Sequence, residues 1–128
     1  WPERPLCPAH QLDLGLTLHG VQVFSWHCIA NQYYFNEVNG VPVVLYEAEG
    51  MIWYRCPSPA ANLAAYFRLD YDLDSLLQTW SQCDPQHFGK LQTYPAIRWL
   101  RQPFEETLFA FICSQNNGLS RIHAMVLA

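Results

Sequence analysis

The sequence predicts an α+β fold in which an antiparallel sheet precedes a run of helices. Three observations predict it. Up to residue 55 the apolar residues recur with period two, which suits strands with one face in a core. Within that half, Asn39-Gly40 and Glu49-Gly50 supply tight-turn signals between apolar runs. After Pro57-Ser-Pro59 the period changes to that of helices, the order expected of an α+β arrangement. With 128 residues, 51% of them hydrophobic and 15% aromatic, the chain can bury a sizeable core and reads as one domain, or one domain and a fragment of another. It contains no internal repeat and no low-complexity tract.

Residues 1–10, with Pro2, Pro5 and Pro8, read as an irregular lead-in. Leu12, Leu14, Leu16 and Leu18 alternate with Asp13, Gly15 and Thr17, the pattern of a half-buried strand. Residues 21–26 read as a second strand, with Val21, Val23 and Ser25 against Gln22, Phe24 and Trp26. Residues 33–38 and 41–46 are separated by Asn39-Gly40 alone, a strong hairpin signal. Pro42, so close to that turn, suggests an edge position or a slightly different register. Glu49-Gly50 turns the chain into a strand over 51–55, for a meander of four or five strands. Residues 60–69 then read as a short helix. Asp72 or Asp74 is placed to cap a helix running to about Trp80, Asp84-Pro85 opens a polar turn or short helix, and residues 96–100 lead into the final corner.

That corner, residues 101–121, is an apolar helix with its polar residues gathered at the C-terminal end. Pro103 suits a first helical position, and Glu105 and Glu106 face the positive end of the helix dipole. Phe104, Leu108, Phe111 and Ile112 make one face suited to burial. Asn117-Gly118 reads as a left-handed exit, followed at once by a second helix with Arg121 in its first turns. Ser114, Gln115, Asn116, Asn117 and Arg121 thus combine amide groups and one guanidinium, able to read a base edge or a phosphate. Without further information, the same cluster is a helix cap beside a solvated arginine. The apolar run 122–128 has no terminating signal, and Trp1 is no initiator, so both ends read as cuts in a longer product.

Composition narrows the function classes. A net charge of −4 argues against a free-standing nucleic-acid binder, although Arg98, Arg101 and Arg121 fall close together. Cys7, Cys28, Cys56, Cys83 and Cys113 show no paired spacing and suit free thiols in a reducing compartment. No stretch approaches the ~20 apolar residues of a membrane span, and no signal peptide is visible. Asp70, Asp72 and Asp74 open like a calcium loop, but Ser75 stands where glycine is needed and Ser81 where glutamate is. Helix capping and solvation explain them better. The five histidines are scattered, and no metal site is expected. Cys113 reads as a buried structural thiol, against the rival of a cysteine nucleophile paired with a histidine. Trp26, Trp53, Trp80 and Trp99 read mostly as core.

Leu100-Arg-Gln, followed by LFAFICSQNNGLSR over 108–121, resembles the first helical corner of the 8-oxoguanine DNA glycosylases, whose usual text is close to LFSFICSSNNNIAR. The similarity reaches upstream through Tyr66-Phe-Arg-Leu-Asp70 and the Trp80 region to Gln22, Phe24 and Trp26. The resemblance implies a TATA-binding-protein-like sheet domain with its helices over 1–100 and the first helices of a helical glycosylase domain over 101–128. It implies excision of 8-oxoguanine from damaged duplex DNA by base flipping and lysine attack, without metal or cofactor, by a monomeric intracellular enzyme. That enzyme would work in the cytoplasm or nucleoid of a bacterium, or in the nucleus or mitochondrion of a eukaryote. Asn116 and Arg121 match the residues that contact the cytosine left unpaired, and Asn117 would support the turn. Gly118 departs from the third asparagine of relatives. Gly20, Val21 and Gln22 match the run beside the flipped base, but with Val21 at the family's glycine position and Gly20 one residue earlier. A strand bulge or an altered lesion preference would follow. The family's catalytic lysine and aspartate lie in a later helix-hairpin-helix. Lys90, the sole lysine here, sits in Phe88-Gly-Lys and matches no such motif, so no catalytic residue is expected in this chain. The rival class is a naturally short, non-catalytic DNA-binding or scaffold module.

Overall fold

The computed structural model describes residues 1–30, 32–90, 93 and 96–128. Five strands form one antiparallel sheet: β1 (Glu3–Pro8), β2 (His27–Ile29), β3 (Tyr33–Val38), β4 (Val41–Ala48) and β5 (Met51–Arg55). Their spatial order is β1-β5-β4-β3-β2. Among the described residues, six α-helices accompany them: α1 (Leu14–Leu18), α2 (Leu63–Tyr66), α3 (Leu73–Cys83), α4 (Pro85–Phe88), α5 (Phe104–Ser114) and α6 (Leu119–Val126). The α+β class expected from the sequence is the one observed. Among the described residues, no helix is long and apolar enough to cross a membrane.

Both tight turns form where expected. Asn39 and Gly40 have φ of 53° and 74°, and Glu49 and Gly50 have 53° and 73°, the paired left-handed residues that match strand twist in a two-residue hairpin. Pro42, however, does not mark an edge, because β4 runs between β3 and β5. Val38↔Val41 closes the hairpin, so a donor at Pro42 would aim at β5, whose ladder already stops at Val44↔Arg55. The missing N–H is therefore not needed.

Three strand readings are corrected. Residues 3–8 are not a loose lead-in but the edge strand β1, where prolines are tolerated, with an irregularity between Pro5 and Cys7. Leu14–Leu18 is a helix, because the Asp13 carboxylate caps it by accepting from the Leu16 N–H at 2.8 Å. Helical spacing sends Leu14, Thr17 and Leu18 inward and leaves Leu16 exposed, which period two would not do. Residues 21–26 form no strand, and β2 starts only at His27. Downstream, Asp72 caps α3 by accepting from Ser75 N–H at 3.2 Å and Ser75 Oγ at 2.7 Å, which lowers its pKa. Asp84 caps α4 by accepting from His87 N–H at 3.1 Å. Asp74 accepts from Gln11, Asp70 pairs with Arg68, and no metal-binding cluster occurs among the described residues.

The main core lies between the sheet and α1 and α2. Leu12, Leu18, Val23, Trp26, Val43, Leu45, Ile52 and Phe67 are completely or almost completely buried there. The Trp26 indole donates to the Tyr66 hydroxyl at 3.1 Å. Trp80 and Trp99 are instead exposed, so only part of the tryptophan set is core. A second, smaller cluster of Phe24, Ala110 and Ile122 fastens α5 and α6 to the rest.

Candidate nucleic-acid interface

α5 starts at Phe104, with Pro103 as its N-cap rather than its first helical residue, at φ −56° and ψ 141°. Glu105 and Glu106 occupy the first turn as expected. The helix stops at Ser114 because its last carbonyls find another donor. Asn117 Nδ2 donates to Cys113 O at 2.8 Å and to Gln115 O at 3.0 Å. The left-handed residue of this exit is Asn116, at φ +56°, not Asn117 or Gly118. Asparagine is among the few side-chain-bearing residues that take this conformation readily. Gly118 instead caps α6 with φ −80° and ψ 158°, and Arg121 is the third residue of α6.

Asn116 and Arg121 are both exposed. Among the described residues, neither the Asn116 amide nor the Arg121 guanidinium has an intramolecular partner. Asn117, by contrast, is half-buried and spends its amide on the turn. The three residues divide the work: one side chain holds the loop, and two project from it with full hydrogen-bonding capacity.

The apolar face of α5 is not buried as expected. Phe104 is 73% exposed, Phe111 65%, Ile112 54% and Leu108 40%. The face that docks is narrower: Glu106, Ala110 and Cys113, spaced i, i+4, i+7, meet the segment carrying Phe24 and Ser25. Ser25 Oγ donates to the Glu106 carboxylate and accepts from Asn36 Nδ2 at 2.9 Å. Phe24 packs on Ala110 and Ile122 and meets the His123 ring edge-on at 5.0 Å. Cys113 is half-buried against this cluster and has no hydrogen bond to a histidine.

The upstream residues expected beside a flipped base occupy the same region of the chain. Val21 is 74% exposed. Gly20 approaches Leu16 O so closely that a Cβ would lie 2.6 Å from it. Gln22 turns its side chain inward: Nε2 donates to Arg98 O at 2.7 Å, and Oε1 accepts from Leu100 N–H at 3.2 Å. Its own carbonyl accepts from Gln102 Nε2 at 2.6 Å. Strand pairing is replaced here by contacts to residues about 80 positions away, a partner no local pattern announces. Two residues along, Phe24 touches Ile122, the neighbour of Arg121.

Arg98 does not join Arg101 and Arg121 in a positive surface. It is 5% exposed and donates to Gln11 O at 2.6 Å, Gln11 Oε1 and Arg68 O at 2.7 Å each, and Tyr71 O at 3.2 Å. Burial lowers its pKa, with Cys7 and nearby aspartates opposing. It is a strut tying its own segment to Gln11 and to the Arg68–Tyr71 turn. Arg101 and Arg121 are the exposed cations of the corner. Lys90 is exposed in the segment after α4.

Residues 6–108 match the family described as 8-oxoguanine DNA glycosylase, N-terminal domain. The match ends short of Asn116 and Arg121. Over 65 residues the chain is 46% identical to an N-glycosylase/DNA lyase of Saccharomyces cerevisiae, covering 50% of this chain and 17% of that protein. The structure is similar to a Clostridium acetobutylicum 8-oxoguanine glycosylase/lyase complexed with double-stranded DNA containing cytosine opposite 8-oxoG. That likeness has a TM-score of 0.72 at 25% identity and covers 89% of this chain and 40% of the other. The apo form of the Clostridium enzyme gives 0.71 at 27% identity, covering 89% and 41%. The chain thus spans less than half the length of these relatives.

Proposed function

The chain belongs to the 8-oxoguanine DNA glycosylase family through its N-terminal domain, and from that premise we propose that it forms part of a base-excision-repair enzyme acting on 8-oxoguanine in duplex DNA. Residues 1–100 form the sheet domain and 101–128 the first helices of a helical domain, whose remaining helices would cover the exposed apolar face of α5. The partner is damaged double-stranded DNA.

One observation carries the reading. Asn116 and Arg121 stand exposed, with no side-chain partner among the described residues, on a corner that Asn117 locks. When a damaged guanine is turned out of the stack, the opposite cytosine is left with two acceptors and an amino donor. A guanidinium can donate to the acceptors, and an amide oxygen can accept from the amino group. Arg101 and Arg121 offset the overall acidity locally. Gly20 and Val21, on the segment docked against α5 and α6, lie toward the extruded base.

Excision by attack of a lysine amine on the sugar, giving a Schiff base, needs a desolvated or charge-perturbed lysine. Lys90 is solvent-exposed, so residues 1–128 supply recognition without the nucleophile. The five free thiols suit an intracellular, reducing compartment.

The test is fluorescence anisotropy of the 128-residue chain with duplexes carrying 8-oxoguanine opposite cytosine or opposite adenine. Preference for cytosine is expected, with Asn116→Ala and Arg121→Ala each reducing it roughly tenfold. Borohydride trapping should yield no adduct with this chain alone. Equal binding to both duplexes would leave only a general DNA-binding module.

A further inference from the structure

The geometry points to Gln22 as a positioning residue that sets where the corner carrying Asn116 and Arg121 stands relative to the backbone of Gly20 and Val21. This rests on the reading of both segments as facing one damaged base pair. The proposal concerns their mutual placement.

Gln22 is built as a clamp. Its side chain uses donor and acceptor together, on Arg98 O at 2.7 Å and Leu100 N–H at 3.2 Å, with a further 3.4 Å contact to Thr17 O. Its carbonyl receives Gln102 Nε2 at 2.6 Å. Residues 98, 100 and 102 are therefore gripped in succession, just before α5 begins at Phe104. The grip carries no sheet pairing, since residues 21–26 form no strand. Its partners are thus specific to this connection.

The position of the grip explains its leverage. α5 has 11 residues, so it is about 16 Å long, and a tilt of about 5° at its start moves the far end by about 1 Å. That far end is where Asn116 and Arg121 stand. Phe24 on Ala110 and Ile122, and Ser25 on Glu106, hold the helices against the sheet domain. Gln22 grips the chain entering them at residues 98, 100 and 102, beside the Arg101 N–H that donates to Tyr66 O at 2.8 Å and the Arg98 guanidinium held by Gln11, Arg68 and Tyr71. The same residue follows Gly20 and Val21 directly, so one side chain couples both halves of the recognition surface.

The experiment compares Gln22→Met, which keeps the length and removes both polar ends, with wild type and with Val43→Ala. Val43 is fully buried in β4 and belongs to the main core, not to the Phe24–Ala110–Ile122 cluster that holds α5 and α6, so its variant reports general destabilisation. Gln102→Met, which removes only the bond to the Gln22 carbonyl, serves as the milder variant if Gln22→Met does not fold. Two readouts are taken on the 128-residue chain: the affinity ratio for 8-oxoguanine opposite cytosine over adenine, and amide hydrogen exchange. The Gln22 variant is expected to lose about tenfold of the ratio, the scale of one misplaced base contact. Its Leu100 amide and the α5 and α6 amides should exchange faster, while the β3–β4 hairpin keeps wild-type protection. Val43→Ala should keep the ratio. Wild-type ratio and exchange in the Gln22 variant would overturn the proposal, as would equal loss of the ratio in Val43→Ala. If wild type itself shows no preference, the base-reading function fails, and the exchange pattern alone decides the positioning role.

Discussion

Replacing Asn116 separates its backbone task from its side-chain task. At φ +56° the residue is left-handed, a conformation that costs most L-residues about 1–2 kcal/mol and glycine almost nothing. Its amide makes no hydrogen bond to the described residues, so truncation removes none of those contacts. Asn116→Gly therefore relaxes the turn but loosens the unfolded chain, which offsets about 0.4–1 kcal/mol. Asn116→Ala keeps the strain. The difference between the two variants should be about 0.5–1 kcal/mol in favour of glycine, or about 2–5 °C in Tm for a domain of this size. In DNA binding the two should behave alike, because both lack the amide. Each should lose about 1–2 kcal/mol of preference for cytosine opposite the lesion, roughly 5- to 30-fold. Circular dichroism melts and anisotropy titrations at one fixed salt concentration measure both quantities. Alanine proving as stable as glycine would refute the left-handed turn. A glycine variant that kept the full preference would refute contact by the amide.

Three further outcomes follow from other parts of the structure. Arg98→Met leaves four partly buried acceptors without their charged donor, so a loss of about 2–4 kcal/mol and about 6–15 °C in Tm is expected; a melt within about 1 kcal/mol of wild type would show the strut to be dispensable. Gly118→Asn puts a better N-cap on α6 at φ −80°, where no atom lies within 4 Å of the new Cβ. A gain of about 0.5–1 kcal/mol should appear in urea unfolding, and a loss would mean the cap geometry differs in solution. Burial raises the Cys7 thiol from 9.0 to about 11, with Arg98 partly opposing, and the Tyr66 hydroxyl from 10.0 to about 12. Because the folded state holds these protons more tightly, stability is intact below about pH 9 and falls as pH rises toward 11 and 12. Tyr66→Phe should flatten the upper part of that decline in a series of melts against pH, and an unchanged slope would exclude Tyr66 as its source.

What the sequence by itself determined was local. Asn39-Gly40 and Glu49-Gly50 turn the chain because their own backbones accept positive φ, and Asp72 and Asp84 start helices with carboxylates only three residues from the amides they cap. The α5–α6 corner was legible for the same reason, with Arg121 early in the second helix, although its left-handed residue is Asn116 and not Asn117 or Gly118. The tertiary structure decided everything that depends on partners far along the chain. Prolines 5 and 8 could enter a strand only because β1 lies at an edge beside β5. The leucines at 12–18 alternate like a strand, but the Asp13 cap and the available core made a helix of most of them. Residues 21–26 had the period of a strand and became the dock for α5 and α6, since their partners at 98–106 lie about 80 residues away. Arg98 looked like surface charge until four distant acceptors enclosed it, and the phenylalanines of α5 looked like core until only Glu106, Ala110 and Cys113 were turned inward. Periodicity specifies which residues share a face. Only packing specifies what that face meets.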